Sequence, residues 1–196
     1  MTAESKRGWA VFLDRDGTLI REVGYLRRVE QIELLPQVPA ALRLLREHGF
    51  KLVVVTNQSA VARGWLSEQD LSNIHGALNA ALAQRGARLD GIYYCPHHPT
   101  EGTGPFRMDC CCRKPKAGMI ERASVELGLI PTQSYVVGDQ KTDIELADRI
   151  GATALLIRGE QAAAAKDMTG VPIVADLWHA ALWIVEHKSR PQKVGA

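Results

Sequence analysis

Two aspartates flank a single residue in the segment FLDRDGT, at Asp14 and Asp16, with Gly17 and Thr18 directly behind them. At the end of an extended strand alternate side chains face the same way, so both carboxylates can address one ligand. Gly17 permits a sharp turn beside them. Asp139, behind Val136, Val137 and Gly138, offers a third carboxylate from another strand-like run. Like charges about 4 Å apart repel by roughly 4 kcal/mol at an effective dielectric of about 20, so such a group calls for a cation. An all-oxygen set with room for water suits Mg²⁺, which bridges carboxylate and phosphate. The chemistry within reach is phosphoryl transfer. One carboxylate attacks phosphorus to form an aspartyl-phosphate, and a second protonates the leaving alcohol and later activates water. Thr56, through its hydroxyl, and Lys114, through its charge, are suited to hold the phosphoryl oxygens.

A second constellation lies between residues 95 and 115. Cys95 and His97 form C-x-H, and Cys110 and Cys112 form C-x-C. In locally extended chain each pair points to one side, which makes a Cys₃His tetrahedral set suited to Zn²⁺. Cys111 and His98 then point away. Four protein ligands leave no open position, so this zinc reads as structural. Arg113 follows the last ligand directly, where a rigid loop can aim its guanidinium at a phosphate or sugar oxygen.

The elements that must position these groups alternate between strand-like and helical patterns. Strands are expected at Trp9–Leu13, Lys51–Val55, Asp90–Tyr94, Ser134–Val137, Ala152–Ile157 and Ile173–Val174. Helices are expected at Pro36–His48, from Ser67 towards Gln84, at Lys116–Leu127, from Thr142 to Ile150, and at Asp176–His187. Ser67 with Asp70, and Thr142 with Glu145, have capping-box spacing. The β–α alternation predicts a three-layer, Rossmann-like α/β/α fold with a parallel sheet. In such folds ligands bind at the carboxyl ends of the strands. DRDGT, TNQS and GDQKTD all follow strand-like runs and converge on one edge. One domain spans residues 1–196, with no clear linker, and the tail from Lys188 to Ala196 reads as frayed. The stretch 95–115 has no usable periodicity; a structureless loop of about 20 residues is unusual inside a compact domain, so something must hold it.

Composition narrows the remaining classes. The chain has 196 residues, 46% hydrophobic and 23% charged, with a net charge of +2. That balance argues against a nucleic-acid or membrane partner. No apolar run approaches the roughly 20 residues of a membrane span, and the N-terminus shows no signal-peptide core. A cytoplasmic, monomeric protein is expected, its clustered cysteines serving metal and not disulfides.

Taken together, FLDRDGTLI, VTNQSAVARG, GIYYCPHHP, CCCRKPKAGM and VVGDQKTD resemble the haloacid dehalogenase (HAD) superfamily. More narrowly they resemble its D-glycero-D-manno-heptose 1,7-bisphosphate phosphatases, relatives of the histidinol-phosphate phosphatases. The resemblance covers nearly the whole chain and implies a HAD-like fold without a large cap domain. It implies Asp14 as nucleophile and Asp16 as general acid/base. It implies Mg²⁺ held by Asp14, the Asp16 carbonyl and Asp139, with Thr56 and Lys114 on the transferring phosphoryl group. It places zinc on Cys95, His97, Cys110 and Cys112. Substrate contacts fall on Glu22, Val23, Gly24 and Tyr25, on Asn57, Gln58 and Ser59, and on Arg113. The implied reaction removes the C7 phosphate of a small-molecule sugar bisphosphate, feeding activated heptose into lipopolysaccharide-type precursors. The anomer at C1 stays open. The alternatives are a histidinol-phosphate phosphatase, or a non-catalytic zinc-loop interaction module, against which the intact set of site residues argues. One departure is Gln140, where the family often carries Lys.

Overall fold

A computed structural model describes residues 8–158 and 170–188 of the chain. Six parallel strands form one sheet in the order β3-β2-β1-β4-β5-β6. They are β1 (Ala10–Leu13), β2 (Lys51–Asn57), β3 (Gly91–Cys95), β4 (Tyr135–Gly138), β5 (Thr153–Ile157) and β6 (Ile173–Val174). The helices between them are α1 (Val38–Glu47), α2 (Glu68–Ala83), α3 (Gly118–Leu127), α4 (Lys141–Ile150) and α5 (Leu177–His187). Among the described residues no helix is long and apolar enough to cross a membrane.

The central strands are near-continuous apolar runs because both sheet faces are covered. Every residue of β1 and β4 is buried. Alternation decides which layer each side chain joins. Val11, Leu13, Leu52, Val54 and Val137 pack with the apolar stripes of α1, α2 and α5. Ala10, Phe12, Val53, Val55 and Val136 face the opposite way, towards Met119, Ile120 and Ala123 of α3 and Leu146 and Ala147 of α4.

The strand and helix expectations hold to within two or three residues at most ends, with one correction. The box at the start of α4 is made by Gln140 and Asp143, not by Thr142 and Glu145. The reason is physical: Gln140 carries the extended backbone of an N-cap (φ −109°, ψ 150°), and Asp143 accepts from its amide at 3.1 Å. The Ser67–Asp70 box at α2 forms as expected. Residues 189–196, most of the tail read as frayed, lie outside the described residues.

The order places β1, the first strand in sequence, between β2 and β4. The direction of winding reverses there, which opens a crevice beyond the carboxyl ends of the strands. The Asp14 amide donates to the Val137 carbonyl at 2.9 Å and so ties the end of β1 to the end of β4.

Candidate active site

At that crevice lies a cleft of about 380 Å³. The end of β1 contributes Asp14 and Asp16, the end of β2 contributes Thr56 to Ser59, and Gln140 and Thr142 enter from the start of α4. Arg113 and Lys114 arrive from the cysteine loop, and Glu22, Gly24, Tyr25 and Leu26 from the segment after β1. Of the expected catalytic and substrate-contact residues all but exposed Val23 line the cleft, and Leu26 lines it as well; Asp139, expected on the metal, is buried and does not line it.

Ligand oxygens of Asp14, Asp139 and Asp143 lie within 4.8 Å of one another, and all three residues are buried. Asp139 Oδ1 is enclosed without a hydrogen-bond partner, an arrangement that costs free energy unless a cation or water answers it. Burial, reinforced by the carboxylates of Asp14 and Asp143, raises the Asp139 carboxyl to about 7. The absence of side chains shapes the same spot. A Cβ on Gly17, which sits at φ +74°, would collide with the Asp139 carboxylate, and one on Gly138 would collide with that of Asp143. Octahedral coordination at about 2.1 Å puts ligand oxygens roughly 3–4 Å apart, so a small divalent cation fits this cluster.

Asp143 was not singled out from the sequence. It is fully buried and accepts from Lys114 Nζ at 2.7 Å. Lys114 reaches Asp14 Oδ1 with the same ammonium at 2.8 Å. Burial works against the ammonium, but the two carboxylates outweigh it and hold Lys114 firmly charged. The main chain of Lys114 is fixed as well: its amide donates to Asn57 Oδ1 at 3.0 Å, and Asn57 Nδ2 donates to its carbonyl at 3.3 Å. Asn57, expected to touch substrate, thus also clamps the lysine. The Asp16 carboxylate is not part of the cluster of Asp14, Asp139 and Asp143. Arg15, buried and unremarked in the sequence, donates to Asp16 Oδ2 at 2.8 Å, and Gln58 Nε2 donates to the same oxygen at 2.9 Å.

In the loop, Cys95, His97, Cys110 and Cys112 gather as the spacing predicts, while Cys111 is exposed. Cys95 Sγ lies 3.4 Å from Cys110 Sγ, Cys112 Sγ 3.3 Å from Cys110 Sγ, and His97 Nδ1 3.4 Å from Cys112 Sγ. Tetrahedral zinc with Zn–S near 2.3 Å implies ligand separations of about 3.5–3.8 Å, so the donor set and its spacing fit zinc. The main chain is bound too: His98 and Phe106, Met108 and His98, and Gly118 and Cys111 pair at 3.0 Å each. Arg113 Nη1 donates to the His97 carbonyl at 3.1 Å, which ties the guanidinium in the cleft to the cysteine cluster.

Sheet order and carboxylate site together define a hydrolase of the HAD class, and residues 111–180 match the HAD-hydrolase-like family profile. The D,D-heptose 1,7-bisphosphate phosphatase of B. bronchiseptica, solved with magnesium and phosphate, superposes with a TM-score of 0.80 at 28% identity, covering 91% of this chain and 99% of that one. The D-glycero-beta-D-manno-heptose-1,7-bisphosphate 7-phosphatase of Haemophilus ducreyi is 45% identical over 159 residues, 80% of this chain and 87% of that protein. Its Escherichia coli K12 counterpart is 40% identical over 178 residues, 90% of this chain and 87% of that protein. The chain belongs to this family of heptose-bisphosphate phosphatases, and it is a phosphatase.

Proposed function

We propose that the chain hydrolyses the C7 phosphate of D-glycero-beta-D-manno-heptose 1,7-bisphosphate, releasing heptose 1-phosphate. The observation that carries the chemistry is the buried meeting of Asp14, Asp139, Asp143 and Lys114 beyond the ends of β1 and β4. The substrate and its anomer rest on relatives of that name at 40–45% identity.

In this reading Asp14 attacks the phosphorus of the C7 phosphate and forms an acyl-phosphate bond as the bond from phosphorus to the C7 oxygen breaks. The Asp16 carboxyl gives its proton to the departing oxygen. As a carboxylate it then takes a proton from the water that attacks the phosphoryl-Asp14, which frees inorganic phosphate and restores both acids. Asp14, Asp139, Asp143 and the Asp16 carbonyl would hold Mg²⁺, which when bound neutralises charge among carboxylates and phosphoryl oxygens. Two N–H bonds of Lys114 are taken by Asp14 and Asp143; the third, with the Thr56 hydroxyl, is available for the phosphoryl oxygens. Cys95, His97, Cys110 and Cys112 would hold structural zinc, with Arg113 presented to the second phosphate as a planar, charge-assisted partner.

The test is a comparison of kcat/KM on both anomers of the heptose bisphosphate and on histidinol phosphate, with Asp14→Asn as control. The beta anomer should lead by tenfold or more, and folded Asp14→Asn should be inactive. Preference for histidinol phosphate overturns the substrate; normal turnover by Asp14→Asn overturns the mechanism.

A further inference from the structure

Arg15 is 1% exposed, between two acids of the site, and all three of its guanidinium nitrogens are engaged. Nε and Nη2 reach Asp16 Oδ1 at 3.2 and 3.0 Å, Nη2 also reaches Asp16 Oδ2 at 2.8 Å and Gln58 Oε1 at 2.9 Å. Nη1 meets Nε2 of His75, on α2, at 3.3 Å. Gln58 closes the ring: its Nε2 donates to Asp16 Oδ2 at 2.9 Å and to Thr56 Oγ1 at 3.0 Å. A guanidinium has no acceptor, so the contact with Arg15 makes Nε2 of His75 the lone-pair atom and leaves the ring proton on Nδ1. Burial, with the Arg15 charge added, pushes the imidazole down to about 3, so the ring is neutral and accepts at any working pH. Its ring also packs against that of Tyr94 at 5.6 Å between centroids.

From this connectivity we infer that His75, acting through Arg15 and Gln58, is a positioning residue for proton transfer by Asp16. The inference rests on the phosphatase reading above and deepens it. Enclosing a guanidinium, an imidazole and an amide is costly, and an apolar packing of equal volume would serve stability as well or better. What the polar packing adds is direction. Each hydrogen bond of the cluster ends on Asp16, on the phosphoryl-binding Thr56, or on a group that does. Three elements (the ends of β1 and β2, and α2) thereby aim one carboxyl group, and a displacement of about 1 Å in such a group can cost roughly a hundredfold in rate.

The experiment measures kcat/KM for a series of phosphate monoesters that the wild type turns over, from 2,4-dinitrophenyl to alkyl. This parameter covers the steps up to the aspartyl-phosphate. A dinitrophenolate leaves without a proton, whereas an alkoxide needs one. In His75→Leu, Nη1 of Arg15 loses its acceptor. We expect alkyl phosphates to lose about 10–100-fold, dinitrophenyl phosphate less than about threefold, and the plot of log kcat/KM against leaving-group pKa to steepen. His75→Gln, whose Oε1 replaces Nε2 as acceptor, should restore the shallow slope, and the Mg²⁺ concentration for half activation should not move in either variant. If His75→Leu yields no folded protein, Arg15→Lys, which keeps the charge and loses the fork, reads the same slope. A wild-type slope in the folded variant, at any absolute rate, overturns the inference, as does a steep slope that His75→Gln leaves unrepaired. A wrong substrate assignment would show in the wild type alone, as failure on the heptose bisphosphate while the ester series still reports on His75.

Discussion

Lys114 is 4% exposed, and its ammonium bridges Asp14 at 2.8 Å and Asp143 at 2.7 Å. Removing one member of a buried ion pair is far worse than never having made it, because the remaining charges stay desolvated. Lys114→Met should cost about 3–5 kcal/mol in metal-free protein, seen as a fall in Tm of roughly 10 °C for a chain of this size, and should abolish phosphatase activity. Mg²⁺ should recover part of the Tm and none of the activity; an unchanged Tm without metal would mean that the acids take up protons and do not depend on the lysine. Asp14, Asp16, Thr56, Lys114 and Asp139 were legible because each sits directly behind an apolar run or in a distinctive short motif. Asp143 and Arg15 were not. Asp143 occupies the first turn of α4, where an acid is expected for capping alone. What sets it apart is the contact with Lys114, 29 residues earlier in the chain. Arg15 reads as one more charged loop residue until its three partners enclose it.

The loop that runs from the end of β3 at Cys95 to Pro115 is an element in its own right, although beyond the strand only a short 3₁₀ turn at Gly104–Phe106 has regular form. Its spacing announced a metal set, and the alternation of extended chain was enough to exclude Cys111. The pairing of His98 with Phe106 and the contact of Arg113 with the His97 carbonyl depend on the loop's path and could not be read from spacing. Without metal, burial raises the Cys95 thiol beyond its ordinary range, and burial with the Cys110 contact raises that of Cys112 to about 11. The ligands must lose protons to bind, so zinc uptake should release protons and weaken as pH falls. Elemental analysis should find one zinc per chain, lost in Cys112→Ala and kept in Cys111→Ala. Because the sheet has its own apolar layers, loss should leave the far-ultraviolet spectrum near that of the wild type while the loop becomes open to protease. The reverse order of zinc retention would show that the thiols had been assigned wrongly.

At the scale of the molecule, the cluster of acids ties stability to pH through metal. The Asp139 carboxyl stands at about 7 in the folded chain, above its ordinary value. Between roughly pH 4 and 7 the metal-free folded state therefore holds more protons than the unfolded one, so this group's contribution to stability falls as pH rises. One pKa unit corresponds to about 1.4 kcal/mol, and a loss of a few kcal/mol across that window is expected. Mg²⁺ competes with the same protons, so the gain in Tm on adding it should grow from pH 5 to pH 7.5. A gain independent of pH would remove Asp139 from the metal site. The parallel sheet and the gathering of three polar clusters at one edge followed from the β–α alternation alone. The strand order did not, because the apolar runs of β1 and β4 suit any interior place in a sheet, and only packing decides their neighbours.

The first strand lies at the centre of the sheet, and this has a bearing on how the protein is born. Asp14 leaves the ribosome well before its neighbours Lys114, Asp139 and Asp143 are translated. Until β4 emerges, the growing chain holds Asp14 beside an empty place where that strand belongs. Until then the acids have no common point to meet, so an unfinished polypeptide carries no phosphatase activity to act on phosphate esters around it. The acids can gather only when β4 docks beside β1, a strand translated long before it.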